Sequence, residues 1–136
     1  RNEGNLNELV SRLQNQSNMA LQQAGIGFDA DIPETPIELS PTVSLHLYRI
    51  LKELINNTIK HSGATRIQLK ALKQQEVLRI TYQDNGRGIS DNPGLEGYGL
   101  TNIKTRAEEA GFEFKWSNLP EGGVQLLLTK QMQSPV

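Results

Sequence analysis

The sequence predicts a single domain in which α-helices pack against a largely antiparallel β-sheet. Three segments repeat apolar residues at the spacing of an amphipathic helix, namely residues 5–24, 42–62 and 100–110. Two further regions each contain two strand-like stretches joined by a polar turn, at residues 66–83 and 112–129, which is the pattern of an antiparallel hairpin. With 136 residues, of which 36% are hydrophobic, the chain is long enough to bury one core over residues 1–136.

Local signals set the expected ends of the first elements. The leading helix, within residues 1–24, is expected to end at Gly25, because glycine readily adopts the left-handed conformation that closes a helix. A strand with alternating apolar residues follows at 26–32. The second helix is expected to begin after Ser40, whose hydroxyl can cap it, with Pro41 in its first turn.

The composition excludes several classes of function. The chain has 14 basic and 15 acidic residues and a net charge of -1, so it lacks the basic surface that would bind nucleic acid. It has no cysteine and only two histidines, which excludes disulfides and thiol chemistry and disfavours a zinc site. No apolar run approaches the ~20 residues of a membrane span, and the first residues do not resemble a signal peptide.

One face of the second predicted helix collects polar side chains. At about 100° per residue, Glu53, Asn57, Lys60 and His61 fall within one arc. Carboxylate and amide oxygens from the first two suit Mg²⁺, which takes few protein ligands beside phosphates and water. The last two can contact phosphate oxygens. The alternative is that this arc is simply the solvent-exposed face of an amphipathic helix.

Two glycine-containing segments add candidates for a nucleotide site. In residues 84–88, Asp84 ends a predicted strand and can accept a hydrogen bond from the exocyclic amine of adenine, while Gly86 and Gly88 permit close backbone approach. A tight turn is the alternative interpretation of that segment. The second segment consists of Gly97, Tyr98, Gly99 and Leu100, and it opens a helix whose N-terminus favours phosphate. The polar residues 89–96 between the segments are expected to form a lid that orders on nucleotide binding.

These motifs, in this order, resemble those of a known superfamily. Residues 53–61 look like the N box of histidine kinases, residues 84–88 like their first glycine box and residues 97–100 like their second. The chain therefore resembles the GHKL superfamily, named for gyrase, the heat-shock chaperone, histidine kinases and MutL. Within it, the sequence is most similar to sensor kinases of the NarX, DesK and LiaS type, over about residues 20–130.

The resemblance implies a fold and a function. The fold is the Bergerat ATP-binding fold, an α/β (α+β) two-layer sandwich of a mixed, mostly antiparallel sheet on three helices, with ATP between the helices and the lid. The function is the ATP-binding catalytic domain of a two-component sensor histidine kinase, which transfers the γ-phosphoryl of Mg-ATP to a histidine on an upstream dimerisation domain. A response regulator acts downstream, and the domain is cytoplasmic in a parent of the bacterial inner membrane.

The resemblance also assigns roles to individual residues. Asn57 coordinates Mg²⁺. Glu53 orients or deprotonates the acceptor group at the end where the phosphoryl group is transferred, and it is a second candidate metal ligand. The other residues expected to contact or admit ATP are Lys60, His61, Asp84, Gly86, Gly88, Gly97, Tyr98, Gly99 and Leu100.

The chain departs from the family pattern at two places. Val124 stands where many members carry a threonine near the base, so Thr81 or a water is expected to replace that contact. His46 is followed by Leu47 and Tyr48 rather than by the acidic residue that this kinase type places after its acceptor, so the acceptor is expected upstream. Two alternatives remain open, a degenerate nucleotide-binding switch module and an anti-sigma-type serine kinase of the same fold. An ATPase of the gyrase or MutL kind would need transducer domains and a longer lid.

Overall fold

The sheet has five strands and is covered on one face by three α-helices. The computed structural model describes residues 4–89 and 99–132. In chain order its elements are α1 (Leu6–Ala24), β1 (Gly27–Asp31), α2 (Pro41–Asn57), β2 (Arg66–Gln74), β3 (Val77–Asp84), α3 (Leu100–Glu109), β4 (Glu113–Asn118) and β5 (Val124–Gln131). The strand order is β1-β2-β3-β5-β4, and only the β1–β2 pair is parallel among these strands. The predicted mixed, mostly antiparallel sheet on three helices is confirmed.

The helix ends follow the local signals in the sequence. The Asn5 side chain accepts a hydrogen bond from the Glu8 amide at 2.8 Å and caps α1, which ends at Gly25 with φ 72°. At the start of α2, the Ser40 hydroxyl accepts from the Val43 amide at 3.2 Å, and Pro41 occupies the first turn. Each cap satisfies a backbone group that a helix end leaves unpaired. The predicted end of α1 at Gly25 and the predicted start of α2 after Ser40 are therefore confirmed.

The core lies between the helices and one face of the sheet. Alternate residues of the central strands are buried, as expected for a sheet with one covered face. The fully buried side chains that meet in this layer include Leu47, Ile50, Leu51, Leu54, Ile67, Leu69, Leu78, Ile80, Leu126 and Leu128. The centre of α2 thus lies on the middle of the sheet, which fixes where the C-terminal end of α2 emerges.

The second predicted helix is not one continuous α-helix. α2 ends at Asn57, and Thr58–Ser62 form a π-helical turn that closes at Gly63 with φ 68°. The prediction of a single polar arc assumed regular rotation to the end of the segment, and it is wrong in part. The Asn57 side chain is buried, whereas Lys60 and His61 are exposed on the π-helical turn. π-Turns of this kind are rare and occur frequently at functional sites.

The β2–β3 turn is tighter than the sequence suggests. The predicted turn covered residues 73–76, but Gln74 still pairs with Val77, so only Gln75 and Glu76 form the turn. Both have positive φ, 51° and 66°, which matches a two-residue hairpin turn of the type that fits strand twist. Neither residue is the glycine or asparagine that normally marks such a turn, so the sequence carried no signal for it.

Gly123 closes the β4–β5 turn where it presses against the end of β3. Its φ is 103°, and an added Cβ would lie 1.9 Å from the Asp84 carbonyl oxygen. Gly123→Ala is therefore expected to lower the free energy of unfolding by about 3 kcal/mol or more, through backbone strain and overpacking. Gly25→Ala is the matched control, because Gly25 also has positive φ but an added Cβ there meets nothing within 4 Å. Gly25→Ala should lower the free energy of unfolding by about 1 kcal/mol, because only the backbone strain contributes there. If urea denaturation gave the same loss of unfolding free energy for both variants, the close contact of Gly123 with Asp84 would not be the cause.

Candidate nucleotide site

The end of α2 and the first glycine segment are in direct contact. The Thr58 hydroxyl donates to Oδ2 of Asp84 at 2.9 Å, and the Arg87 amide donates to the Ser62 carbonyl oxygen at 2.9 Å. Gly86 lies so close to the π-helical turn that an added Cβ would be 2.4 Å from the Ser62 carbonyl oxygen. Two motifs that are more than twenty residues apart in the chain therefore form one continuous surface.

Asp84 is held as a buried hydrogen-bond acceptor at the end of β3. Asp84 is only 2% exposed. Oδ1 accepts from the Gly86 amide at 3.0 Å, and Oδ2 accepts from Thr58. A buried carboxylate is stable only when donors compensate its lost hydration, and these two donors supply part of that compensation. A carboxylate can accept several hydrogen bonds at once, so this side chain also suits an amine on a ligand.

The chain after the first glycine segment is fastened to the end of β4. The Asn118 carboxamide accepts from the Ile89 amide at 2.9 Å and donates to the Ile89 carbonyl oxygen at 2.8 Å. Gly88, with φ 84°, passes so close that an added Cβ would be 2.7 Å from Oδ1 of Asn118. Asn118 thus fixes the position of Ile89, the last described residue of this stretch. Nothing in the sequence singled out Asn118, because its partner is a backbone 29 residues away.

The second glycine segment reaches the site from the other side. Gly99 precedes α3 with φ 58°, and an added Cβ there would lie 3.7 Å from Oε2 of Glu53. Leu100, the first residue of α3, is half-buried against the core. Gly97 and Tyr98, together with the lid residues 90–96, lie outside the described residues. The part of the segment that is described therefore meets α2 at Glu53.

The oxygen ligands expected for Mg²⁺ lie one turn apart on α2. Glu53 is exposed and Asn57 is 6% exposed. Within residues 4–89 and 99–132, no group of three or more carboxylate, histidine or cysteine side chains is arranged to hold a metal ion. Two ligands at positions i and i+4 still fit Mg²⁺, because this ion usually takes one or two protein ligands and binds mainly through phosphates and water.

Thr81 does not face the site, contrary to the expectation that it might replace the missing threonine at position 124. Side chains alternate along β3, so Tyr82 and Asp84 point toward the helices whereas Thr81 points to the opposite face of the sheet. Val124 is buried and pairs with Asp84, but it has no hydroxyl. The hydroxyl that contacts Asp84 comes from Thr58, which the sequence analysis did not select.

A cleft of about 280 Å³ opens between α2 and α3 and is lined in part by Glu53. Its lining includes the apolar Tyr48, Ile50 and Ile103, the cationic Arg49, Lys52 and Arg106, and the polar Glu53 and Asn102. Three cationic side chains against one carboxylate make the cleft basic. Glu53 therefore lines this cleft and also lies beside Gly99.

The fold, the converging motifs and their order define a class of ATPase. The chain belongs to the family of histidine kinase-, DNA gyrase B- and HSP90-like ATPases, whose model matches residues 42–134. It is therefore an ATP-binding domain of this family.

Comparison with individual proteins points to the histidine-kinase branch. The chain is 40% identical over 82 residues to the sensor protein VraS of Staphylococcus haemolyticus, covering 60% of this chain and 24% of that protein. It is 36% identical over 90 residues to VraS of Staphylococcus epidermidis, covering 65% of this chain and 26% of that protein. The matched stretch thus spans about a quarter of the length of these curated relatives.

Solved structures of histidine kinases share the fold. The Acinetobacter baumannii histidine kinase AdeS superposes with a TM-score of 0.81 at 19% identity, covering 96% of this chain and 66% of that one. The catalytic domain of histidine kinase ThkA superposes with a TM-score of 0.78 at 16% identity, covering 96% and 97% of the two chains. None of the helices in the described ranges has the length and apolar character needed to cross a membrane.

Proposed function

We propose that this domain binds Mg-ATP and transfers the γ-phosphoryl group to a histidine on an upstream dimerisation domain. The observation that carries the proposal is the meeting of three motifs around one region. The π-helical turn contacts the first glycine segment through Thr58 and Asp84, and Glu53 lies beside Gly99. Nothing in the core packing requires two glycine segments to converge on a polar helix end, whereas a bound nucleotide does.

The base of ATP is assigned to the Asp84 end of the site. Asp84 offers a buried acceptor to the adenine amine, and its hydrogen bonds to Thr58 and to the Gly86 amide fix its orientation. Gly86 and Gly88 let the backbone at this end pass close to the π-helical turn and to Asn118, which holds the segment in place beside Asp84. A preorganised acceptor recognises a donor at low cost in side-chain entropy, which supports this assignment.

The phosphates are assigned to the Asn57 and Gly99 end. Asn57 supplies an oxygen ligand for Mg²⁺, with Glu53 as a second candidate, and the exposed Lys60 and His61 on the π-helical turn are assigned to phosphate oxygens. When bound, Mg²⁺ would neutralise phosphate charge, which together with positioning supplies most of the catalysis in phosphoryl transfer. The N-terminus of α3, which begins after Gly99, adds backbone N–H groups that favour anions.

Transfer is assigned to Glu53 because it faces both the phosphate end and the basic cleft. We propose that the acceptor segment docks in this cleft, where Arg49, Lys52 and Arg106 attract a partner with acidic side chains next to its histidine. Glu53 would then orient the imidazole and take its proton as the phosphoryl group arrives. Positioning of this kind is the larger part of catalysis in phosphoryl transfer.

The proposal extends to the parent protein and its partner. VraS is a sensor protein, and ThkA has been solved in complex with the response regulator protein TrrA. We therefore propose that this chain is the cytoplasmic catalytic domain of a membrane-bound sensor kinase and that a response regulator receives the phosphoryl group from the acceptor histidine.

The test is phosphoryl transfer in a longer chain that includes the upstream segment. Incubation with γ-labelled ATP and Mg²⁺ is expected to give label that is stable in alkali and released by acid, the behaviour of phosphohistidine. ATP binding without any transfer would contradict the proposal and favour a nucleotide-binding switch module. Acid-stable label on a serine of a partner would contradict it and favour a serine kinase.

A further inference from the structure

Three buried polar side chains form a connected group beneath the first glycine segment. Thr58, Tyr82 and Asp84 are 0%, 2% and 2% exposed. Oγ1 of Thr58 is 2.7 Å from the Tyr82 hydroxyl oxygen and 2.9 Å from Oδ2 of Asp84. The Tyr82 hydroxyl is also 3.1 Å from the Leu54 carbonyl oxygen. The group therefore connects the backbone of α2 with the carboxylate at the end of β3.

Counting hydrogens gives this group a direction. A carboxylate only accepts hydrogen bonds, so the single hydroxyl hydrogen of Thr58 must point to Asp84. Oγ1 of Thr58 is then an acceptor toward Tyr82, whose hydroxyl hydrogen is shared between Thr58 and the Leu54 carbonyl oxygen. Hydrogen bonds in such a chain polarise one another, so Tyr82 strengthens the donation from Thr58 to Asp84.

We propose that Thr58, supported by Tyr82, is a positioning residue that sets purine selectivity by holding Asp84 as an oriented acceptor. This inference rests on the proposed function, because it assumes that the base lies at Asp84. An oriented acceptor pairs with the 6-amino group of adenine and is repelled by the 6-oxo group of guanine. The side chain opposite Asp84 on the paired strand β5 belongs to Val124, which carries no hydroxyl or amide.

The position of Thr58 makes this role specific. It continues the buried stripe of α2 one turn beyond Leu54, so its hydroxyl lies against β3, while Ser62 four residues later donates to the Thr58 carbonyl oxygen at 2.7 Å. Asp84 keeps its bond from the Gly86 amide if the hydroxyl is lost. Removal of the hydroxyl therefore takes one donor from Oδ2 of Asp84 without detaching the glycine segment, and selectivity should decrease more than binding of the phosphates.

The experiment compares ATP and GTP affinity, both with Mg²⁺, for the native chain, Thr58→Val and Thr58→Ser. Thr58→Val keeps the side-chain shape and removes the donor, so ATP affinity should fall roughly tenfold and GTP affinity should change little. The ATP to GTP ratio should then fall by roughly the same factor of ten. Thr58→Ser restores the hydroxyl and should keep the native ratio within about threefold.

Tyr82→Phe provides a second route to the same conclusion if Thr58→Val fails to fold. It removes the support to Thr58 and should lower the ATP to GTP ratio roughly threefold, a smaller loss of the same sign. A native ratio in every folded variant would overturn the inference, as would equal losses of ATP and GTP affinity or a native chain that binds both nucleotides equally. A native chain that binds no ATP would instead sink the proposed function.

Discussion

A chain that carries Glu53→Gln is expected to transfer phosphoryl groups at least about a hundredfold more slowly while binding Mg-ATP almost normally. Glu53 is exposed, lines the basic cleft and lies beside Gly99. Its proposed role is therefore to act on the acceptor histidine rather than to bind ATP. Glutamine keeps the size and one carbonyl oxygen but does not take a proton. A positioned general base typically contributes 10²–10⁴-fold, roughly the loss expected here.

The effect is measured as the initial rate of acid-labile labelling in the chain that includes its upstream segment, together with nucleotide affinity by calorimetry. Glu109→Gln is the matched control, because Glu109 is an exposed glutamate at the end of α3. Its variant should behave like the native chain in both assays. A Glu53→Gln rate within about threefold of native would remove Glu53 from the transfer step, since even a modest general base contributes more than that.

Asp84→Asn is expected to weaken ATP binding by roughly tenfold to a hundredfold, the range of a hydrogen bond to a charged group. The buried carboxylate accepts from Thr58 and from the Gly86 amide. An amide there places an NH₂ donor where one of these donors, or the adenine amine, needs an acceptor. One buried group is then left poorly paired, which is costlier than the loss of an exposed contact.

Asp29→Asn is the control of the same chemistry on the surface. Asp29 pairs with Arg66 at 2.7 Å, but both side chains are more than half exposed, so the pair should contribute little. ATP affinity measured by calorimetry should be unchanged in this variant. If Asp84→Asn also binds ATP as the native chain does, adenine is not recognised at Asp84. The assignment of the base to the Asp84 end of the site would then be wrong.

The parts of the fold that the sequence predicted correctly are those with local causes. The capping hydroxyl of Ser40, the following Pro41 and the terminal Gly25 act within a few residues, and the helix ends lie where these residues place them. The strands of both hairpins follow from alternating apolar residues. The order of the motifs indicated the resemblance to the superfamily, and the resemblance in turn predicted that residues 84–88 and Gly99 would meet α2.

The parts that the sequence did not predict depend on contacts between distant segments. The π-helical turn is stabilised where the first glycine segment packs on Ser62. Helical periodicity does not predict that contact, because it reflects only residues that are near one another in the sequence. Thr58 was passed over because regular rotation places it in the buried stripe with Leu47 and Leu54, where apolar packing is expected rather than a hydrogen bond to Asp84. Asn118 acts through the backbone of Ile89, so its own neighbours in the sequence reveal nothing.

The most direct test of convergence around one magnesium-bearing nucleotide is calorimetric titration of ATP into the native chain, with Mg²⁺ and with a chelator. The native chain should bind ATP at least about tenfold more tightly with Mg²⁺, a difference of roughly 1.4 kcal/mol. Asn57→Ala should lose that advantage, whereas Asn56→Ala, at the half-buried neighbouring position, should keep it. Absence of ATP binding by the native chain, or an undiminished magnesium advantage in Asn57→Ala, would contradict the account.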